Sequence, residues 1–143
     1  MKTIEGGCLC GAVRYSAAAE PLMSRACWCR VCQYFAAGNA TINVVFPKDA
    51  VTITGELNDY ASTADSGSKM HRRFCPACGT QIFSESEARP NLIIIRAGTL
   101  DDREIAKQSG VIWTKSAPSW AHLDPDVPHF EGQPPAPAPS KPA

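Results

Sequence analysis

Seven cysteines are the residues of this chain best suited to chemistry, and they fall into three short blocks. The blocks are a C-x-C pair, a C-x-x-C pair and a C-x-C-x-x-C trio: Cys8 and Cys10, Cys75 and Cys78, and Cys27, Cys29 and Cys32. An odd number of cysteines cannot pair completely within one chain, and a reducing cytosol would not keep disulfides. Thiolates at these spacings are typical zinc ligands, so the pattern indicates metal binding.

The two cysteine pairs have the spacing and the glycine neighbours of a closed structural zinc site. Two intervening residues let the sulfurs of Cys75 and Cys78 turn to one side, and Gly79 can free backbone amides to donate to them. A tetrahedral zinc ion takes four ligands, which the two pairs supply. Cys8, Cys10, Cys75 and Cys78 are therefore predicted to hold a structural zinc.

The trio of Cys27, Cys29 and Cys32 supplies three sulfurs and leaves one tetrahedral position without a cysteine. An open zinc position accepts water or a substrate heteroatom, and a thiol bound there loses its proton and becomes a nucleophile at neutral pH. Two alternatives remain. A remote side chain such as His71 or Asp59 could complete the shell and make this site structural too, or the trio could be unmetallated and redox active.

Residues near the trio could shape a substrate site. Arg25 and Arg30 flank it and could offset its charge or meet an anionic substrate; the alternative is that they lie solvated at the surface. Tyr34 and Phe35 are candidates for a pocket wall or for core packing. Because three thiolates weaken zinc as a Lewis acid, the site suits delivery of a thiolate better than polarisation of an unreactive bond.

The elements that position these cysteines are predicted to be short strands, because apolar and β-branched runs alternate with turn residues and no long helical periodicity is present. The strands are expected near residues 2–5, 12–16, 22–26, 41–46, 51–54, 57–61, 71–74, 81–84, 91–97 and 111–114. Residues 101–107 are expected to form one helical turn or two. The fold class is therefore mainly β.

The C-terminal part differs in composition, since eight of the twelve prolines lie from Pro118 onward. Proline removes amide donors and favours extended backbone, so residues 132–143 are predicted to be a disordered Pro/Ala-rich tail after one domain over residues 1–131. Trp113, Trp120 and Phe130 could anchor the segment before the tail to the body.

Composition and charge favour a soluble domain over a nucleic-acid-binding or membrane protein. With 143 residues, 44% hydrophobic, and 14 basic against 14 acidic side chains, the chain fits one soluble domain and argues against a nucleic-acid binder. The first residues lack the pattern of a secretory signal, and the longest apolar run, residues 92–95, is far too short to span a bilayer. A cytoplasmic protein without a membrane partner is expected, and its oligomeric state stays open.

The three cysteine blocks resemble the glutathione-dependent formaldehyde-activating enzyme family, also called the centromere protein V-like domain. The resemblance rests on residues 7–15, 27–32 and 73–80, in the family's order and approximate spacing, and covers about residues 3–130. It implies a zinc-binding β fold of the Mss4-like superfamily.

The resemblance also implies a function. Cys8, Cys10, Cys75 and Cys78 would hold a structural zinc, and the trio would hold a second, more labile zinc. The implied reaction joins glutathione and formaldehyde to give S-hydroxymethylglutathione, and its reverse is a carbon–sulfur lyase reaction. The alternatives are a non-catalytic, zinc-stabilised binding module and a thiol carrier.

One position departs from the family pattern. Many members have histidine between the first two cysteines of the trio, where this chain has Trp28. The three sulfurs are retained, but an indole does not bind zinc in this way. Trp28 would either line a pocket for an apolar aldehyde or pack in the core.

Overall fold

A computed structural model of the chain describes residues 3–135, and within them the secondary structure is mainly β. The strands are β1 (Ile4–Gly7), β2 (Arg14–Ala17), β3 (Met23–Cys27), β4 (Thr41–Pro47), β5 (Val51–Thr54), β6 (Asn58–Thr63), β7 (Lys69–Phe74), β8 (Gln81–Ser86), β9 (Leu92–Arg96) and β10 (Gly110–Ile112). The α-helix α1 spans Arg30–Phe35, and 3-10 turns span Lys48–Ala50, Ala97–Thr99, Arg103–Ala106 and Thr114–Ser116.

The strands form two sheets. β1, β2 and β5 make an antiparallel three-stranded sheet, and the larger sheet has the order β10-β3-β4-β9-β8-β7-β6. Its neighbours are antiparallel except for β10, which runs parallel to β3. Each predicted strand overlaps an observed one, and the expected turn at residues 101–107 is the 3-10 turn Arg103–Ala106, so the mainly β prediction is confirmed.

The main core joins the small sheet to one face of the large sheet. Side chains of β1 and β2 pack with those of β4, β8 and β9, and they include the fully buried Val44, Phe46 and Ile95. Because side chains alternate between the faces of a strand, the residues between these core positions point to the opposite face of the large sheet. That opposite face carries the candidate site described below.

The segment after β10 lies along the body of the protein. Val111 pairs with His129 in a parallel bridge, and the indole N–H of Trp113 donates to Gln133 Oε1 at 3.1 Å. Trp113 is buried, whereas Trp120 is 61% exposed and contacts the ring of Trp28 in a T-shaped arrangement. Contacts continue to Pro134, whose carbonyl accepts from Arg89, and the rest of the predicted tail, residues 136–143, lies outside the described residues.

No helix among residues 3–135 is both long enough and apolar enough to cross a membrane. The division into a domain over residues 1–131 and a tail over residues 132–143 stays a prediction.

His71 on β7 contacts acidic side chains from both sides of its strand, on β6 and just after β8. His71 Nδ1 lies 2.7 Å from Asp59 Oδ2 on β6, and His71 Nε2 lies 2.8 Å from Glu87 Oε2 just after β8. Hydrogen bonds to Asp59 and then to Glu87 raise the pKa of His71 above its ordinary value of 6.5, against the nearby charge of Arg73. The folded state thus favours the imidazolium.

This bridge predicts a pH-dependent contribution to stability. Because the folded pKa is raised, the contribution is fully present below pH 6.5 and is lost as pH rises through the folded pKa. The free energy of unfolding is measured by urea denaturation at one pH below 6.5 and at one pH above the folded pKa of His71. On going to the higher pH, this free energy should fall more for the wild type than for His71→Gln. Equal losses in the two proteins would contradict the bridge.

Candidate metal centres and active site

The two cysteine pairs meet in space although about 65 residues separate them in sequence. Cys8 Sγ lies 3.6 Å from Cys10 Sγ, and Cys10 Sγ lies 3.8 Å from Cys75 Sγ. All four sulfurs, with that of Cys78, lie within 4.8 Å of one another. Zinc–sulfur bonds of about 2.3 Å place the corners of a tetrahedron about 3.8 Å apart, so this cluster fits a zinc ion.

Backbone amides and one hydroxyl orient these sulfurs. The Val13 amide donates to Cys8 Sγ at 3.3 Å, and the Ala77 amide donates to Cys75 Sγ at 3.4 Å. The Thr80 hydroxyl lies 3.1 Å from Cys78 Sγ and, as the main cause, lowers the pKa of that thiol to about 5. Donors that favour thiolates prepare the cluster for a cation.

The trio is built at the junction of β3 and α1. Cys27 ends β3, Cys29 caps the helix by accepting the Cys32 amide at 3.4 Å, and Cys32 lies in the first turn. All three are buried, with exposed fractions of 5–6%, and their sulfurs lie within 4.8 Å of one another. The spacing predicted the cluster but not the helix, because six residues are too few for helical periodicity.

Proximity couples the three thiols. Hydrogen bonds from Cys27 and then Cys29 lower the pKa of Cys32, while hydrogen bonds to Cys29 and Cys32 raise the pKa of Cys27. Cys32 therefore forms a thiolate readily, whereas Cys27 does not. A divalent cation would resolve this conflict by holding all three as thiolates.

No histidine, aspartate, glutamate or further cysteine among residues 3–135 joins the trio as a fourth member of the cluster. His71 and Asp59, which the sequence offered as candidates, pair with each other between β6 and β7. Neither of them lines the pocket onto which the trio opens.

A pocket of about 950 Å³, including its open mouth, lies over the trio on the face of the large sheet opposite the core. Its floor comes from alternate residues of β3, β4, β9, β8 and β7, and the turn between β6 and β7 forms one wall. Trp113, whose left-handed φ of 59° is unusual for a bulky residue, lines it too. Of the seven cysteines, only those of the trio reach this pocket.

Four arginines give the pocket a positive character: Arg25, Arg72, Arg89 and Arg96. Among residues 3–135, Asp65 is the one acidic residue that lines it. The sequence pointed to Arg25, but not to the other three arginines, which are distant from the trio in sequence. Arg30 is exposed and outside the pocket, where it contacts Gln33 and the ring of Tyr34.

The aromatic candidates near the trio pack outside the pocket. Trp28 is buried with Ala26 and Val111, and its ring forms a T-shaped contact with that of Trp120, with 6.3 Å between the ring centroids. Tyr34 is 78% exposed, and Phe35 contacts Tyr60. The packing alternative therefore describes Trp28, and it holds the C-terminal segment in place.

Comparisons with known proteins agree with this architecture. The model of the family described as glutathione-dependent formaldehyde-activating enzyme matches residues 3–116. A Halomonas elongata protein named for the same enzyme is 25% identical over 127 residues, which cover 85% of this chain and 81% of that protein. A crystal structure of a Rhodobacter sphaeroides protein has a similar fold, with a TM-score of 0.55, 17% identity, and coverage of 87% of this chain and 98% of that one. Since the family model spans most of its length, this chain belongs to the glutathione-dependent formaldehyde-activating enzyme family.

Proposed function

We propose that the protein joins the thiol of glutathione to formaldehyde, and cleaves the adduct in the reverse direction as a carbon–sulfur lyase. The observation that carries this proposal is the placement of Cys27, Cys29 and Cys32, the only cysteines that line the pocket. Membership of the family supports the choice of glutathione and formaldehyde.

We propose that each chain binds two zinc ions. The cluster of Cys8, Cys10, Cys75 and Cys78 offers a full tetrahedron and would be structural. The trio would hold the second ion, with one position open to a ligand from the pocket. Bound there, zinc supplies a positive charge that lowers the pKa of a coordinating thiol. Thiolate ligands of this kind suit a reducing compartment, so we place the protein in the cytoplasm.

The pocket suits glutathione in charge. Glutathione carries two carboxylates and one ammonium group, and four arginines against one aspartate line the pocket. Arg25 lies on β3 two residues before Cys27, and Arg89 lies on the connection between β8 and β9, so both could bind a carboxylate while the sulfur reaches the trio.

The proposed reaction is the addition of a thiolate to a carbonyl group, which needs neither an oxidant nor a reductant. The thiol releases its proton to water, and its sulfur then attacks the carbonyl carbon of formaldehyde. A carbon–sulfur bond forms, the carbonyl π bond breaks, and its oxygen takes a proton from water to become the hydroxymethyl group. The residues of the pocket contribute by holding the sulfur and excluding bulk water from the buried cysteines.

The test is the rate of exchange between glutathione and its hydroxymethyl adduct, measured by NMR in the presence of formaldehyde. We expect the zinc-loaded protein to raise this rate above the spontaneous one, and to raise it less for a neutral thiol that lacks both carboxylates. A thiol carrier would bind glutathione without accelerating exchange, and a binding module would do neither. Either result would contradict the proposed activity.

A further inference from the structure

Two of the pocket arginines are buried without a carboxylate partner among residues 3–135. Arg72 on β7 is 3% exposed and Arg96 on β9 is 9% exposed, and neither takes part in the ion pairs of the described residues. By contrast, Arg73, the neighbour of Arg72 on the other face of β7, lies 3.8 Å from both Asp59 and Glu85. Buried charges are normally paired, so the two unpaired guanidiniums call for a counter-charge.

Neutral contacts hold both guanidiniums in the pocket. Arg72 donates to Ser62 Oγ at 2.6 Å and lies over the ring of Phe35. Arg96 donates to the side-chain oxygen of Asn43, which is its direct neighbour in the β4–β9 register. The Nε of Arg96 is buried and has no hydrogen-bond partner in the described part of the chain. These contacts orient the groups but leave their charges uncompensated.

Besides Asp65 in the turn between β6 and β7, the negative charge available in this pocket is that of the trio. Burial is the main cause that lowers the pKa of Arg96, and the charge of Arg72 lowers it further, while the charges of Cys32, Cys27 and Cys29 raise it. Arg96 is on the strand beside β4, which in turn pairs with β3, where Cys27 lies opposite Thr41. The arginines and the three sulfurs therefore share one face of the sheet and one pocket.

The count of charges indicates which state of the trio the arginines match. Three thiolates around a divalent cation leave one net negative charge, and a fourth thiolate raises this to two. Four arginines outnumber the one aspartate of the lining by three charges. The pocket therefore keeps an excess of two positive charges in the first state and of one in the second, so it is closer to neutral when a substrate thiolate has joined the three cysteines.

We propose that Arg72 and Arg96 are positioning residues that stabilise the incoming thiol in its thiolate form beside Cys27, Cys29 and Cys32. The proposal rests on the proposed function, because it requires a thiol to enter the open position. It gives the arginines a role toward sulfur, distinct from binding a carboxylate of glutathione. Their removal should weaken every thiol, whatever else that thiol carries.

The experiment titrates two thiols into cobalt-substituted protein and follows the sulfur-to-cobalt charge-transfer absorption. One thiol is glutathione, and the other is 2-mercaptoethanol, which bears no carboxylate. We expect Arg96→Gln to raise both dissociation constants by a similar factor, about tenfold or more, because one unit of charge leaves a poorly solvated site. The pH of half-saturation should rise with them, by about one unit for a tenfold change, and Arg96→Lys should restore most of the binding.

The matched control is Arg73→Gln, which removes an arginine from β7, the strand of Arg72, but from the face opposite the pocket. It should leave both dissociation constants unchanged. If Arg96→Gln does not fold, Arg72→Gln provides the same comparison, since Ser62 at the sheet edge is its hydrogen-bond partner.

The outcomes separate this proposal from the function on which it rests. If the arginine variants weaken glutathione but not 2-mercaptoethanol, the pair binds a carboxylate and the proposal is wrong while the proposed function stands. If neither thiol is affected, the proposal is wrong in the same way. If no thiol alters the spectrum of the wild type, both the proposal and the proposed function are wrong.

Discussion

Cys75→Ser is expected to leave the chain unfolded at room temperature, even with zinc in excess. Cys75 is fully buried in the turn between β7 and β8. Its sulfur contacts the sulfur of Cys10, which lies in the turn between β1 and β2. Metal binding at a structural site is folding free energy, on the order of 10 kcal/mol or more. A loss of this size equals the whole stability of an ordinary domain, about 5–15 kcal/mol.

Circular dichroism and a urea titration measure the outcome. The wild type should show the β spectrum and one cooperative transition, and Cys75→Ser should show neither. Stripping the metals with a chelator should have the same effect. A variant that keeps the native spectrum and midpoint would show that the four-cysteine cluster does not hold the two sheets together.

Cys29→Ser, unlike Cys75→Ser, should retain the fold and lose the activity. Cys29 caps α1 by accepting the Cys32 amide, and a serine hydroxyl is itself one of the best helix caps. The helix should therefore start at the same residue. Two sulfurs are too few to hold the ion, so bound metal should fall from two ions to one per chain.

Metal analysis, circular dichroism and the exchange rate with formaldehyde test this prediction together. The rate should fall to the spontaneous value while the spectrum stays native. Arg30→Gln is the control, since Arg30 is exposed and outside the pocket, and it should keep both ions and the full rate. Structural loss in Cys29→Ser as large as in Cys75→Ser would contradict separate roles for the two clusters.

Local patterns predicted those parts of the fold that depend on neighbouring residues. Alternating β-branched runs placed the strands, because a half-buried strand needs side chains that alternate between two faces. Cysteine spacing predicted both clusters for a similar reason, since two sulfurs in one tight turn already lie close together. The partnership of the Cys8 and Cys75 turns needed a further argument, namely that zinc requires four ligands.

Sheet register, which a single sequence does not reveal, determines the rest of the site. Arg25, Asn43 and Arg96 are far apart in the chain but lie side by side across β3, β4 and β9. Arg96 follows an apolar run and by itself resembles an ordinary strand end. Its position becomes informative only once its burial and its lack of a carboxylate partner in the described structure are known.

The helix at the trio was missed for a different reason. Residues 30–35 are too few for periodicity, and a cysteine is not among the usual capping residues. The one available signal was the C-x-x-C spacing of Cys29 and Cys32, which allows the first sulfur to accept the amide of the second cysteine.

The central claim, an open metal position at the trio, is tested most directly by a crystal structure of the zinc-loaded protein soaked with glutathione. Anomalous scattering at the zinc edge locates each ion, and the surrounding density identifies its ligands. We expect one ion bound by Cys8, Cys10, Cys75 and Cys78, and a second bound by the trio and by the sulfur of glutathione. A side chain of the chain itself in that fourth position would contradict the account, because no thiol could then reach the metal.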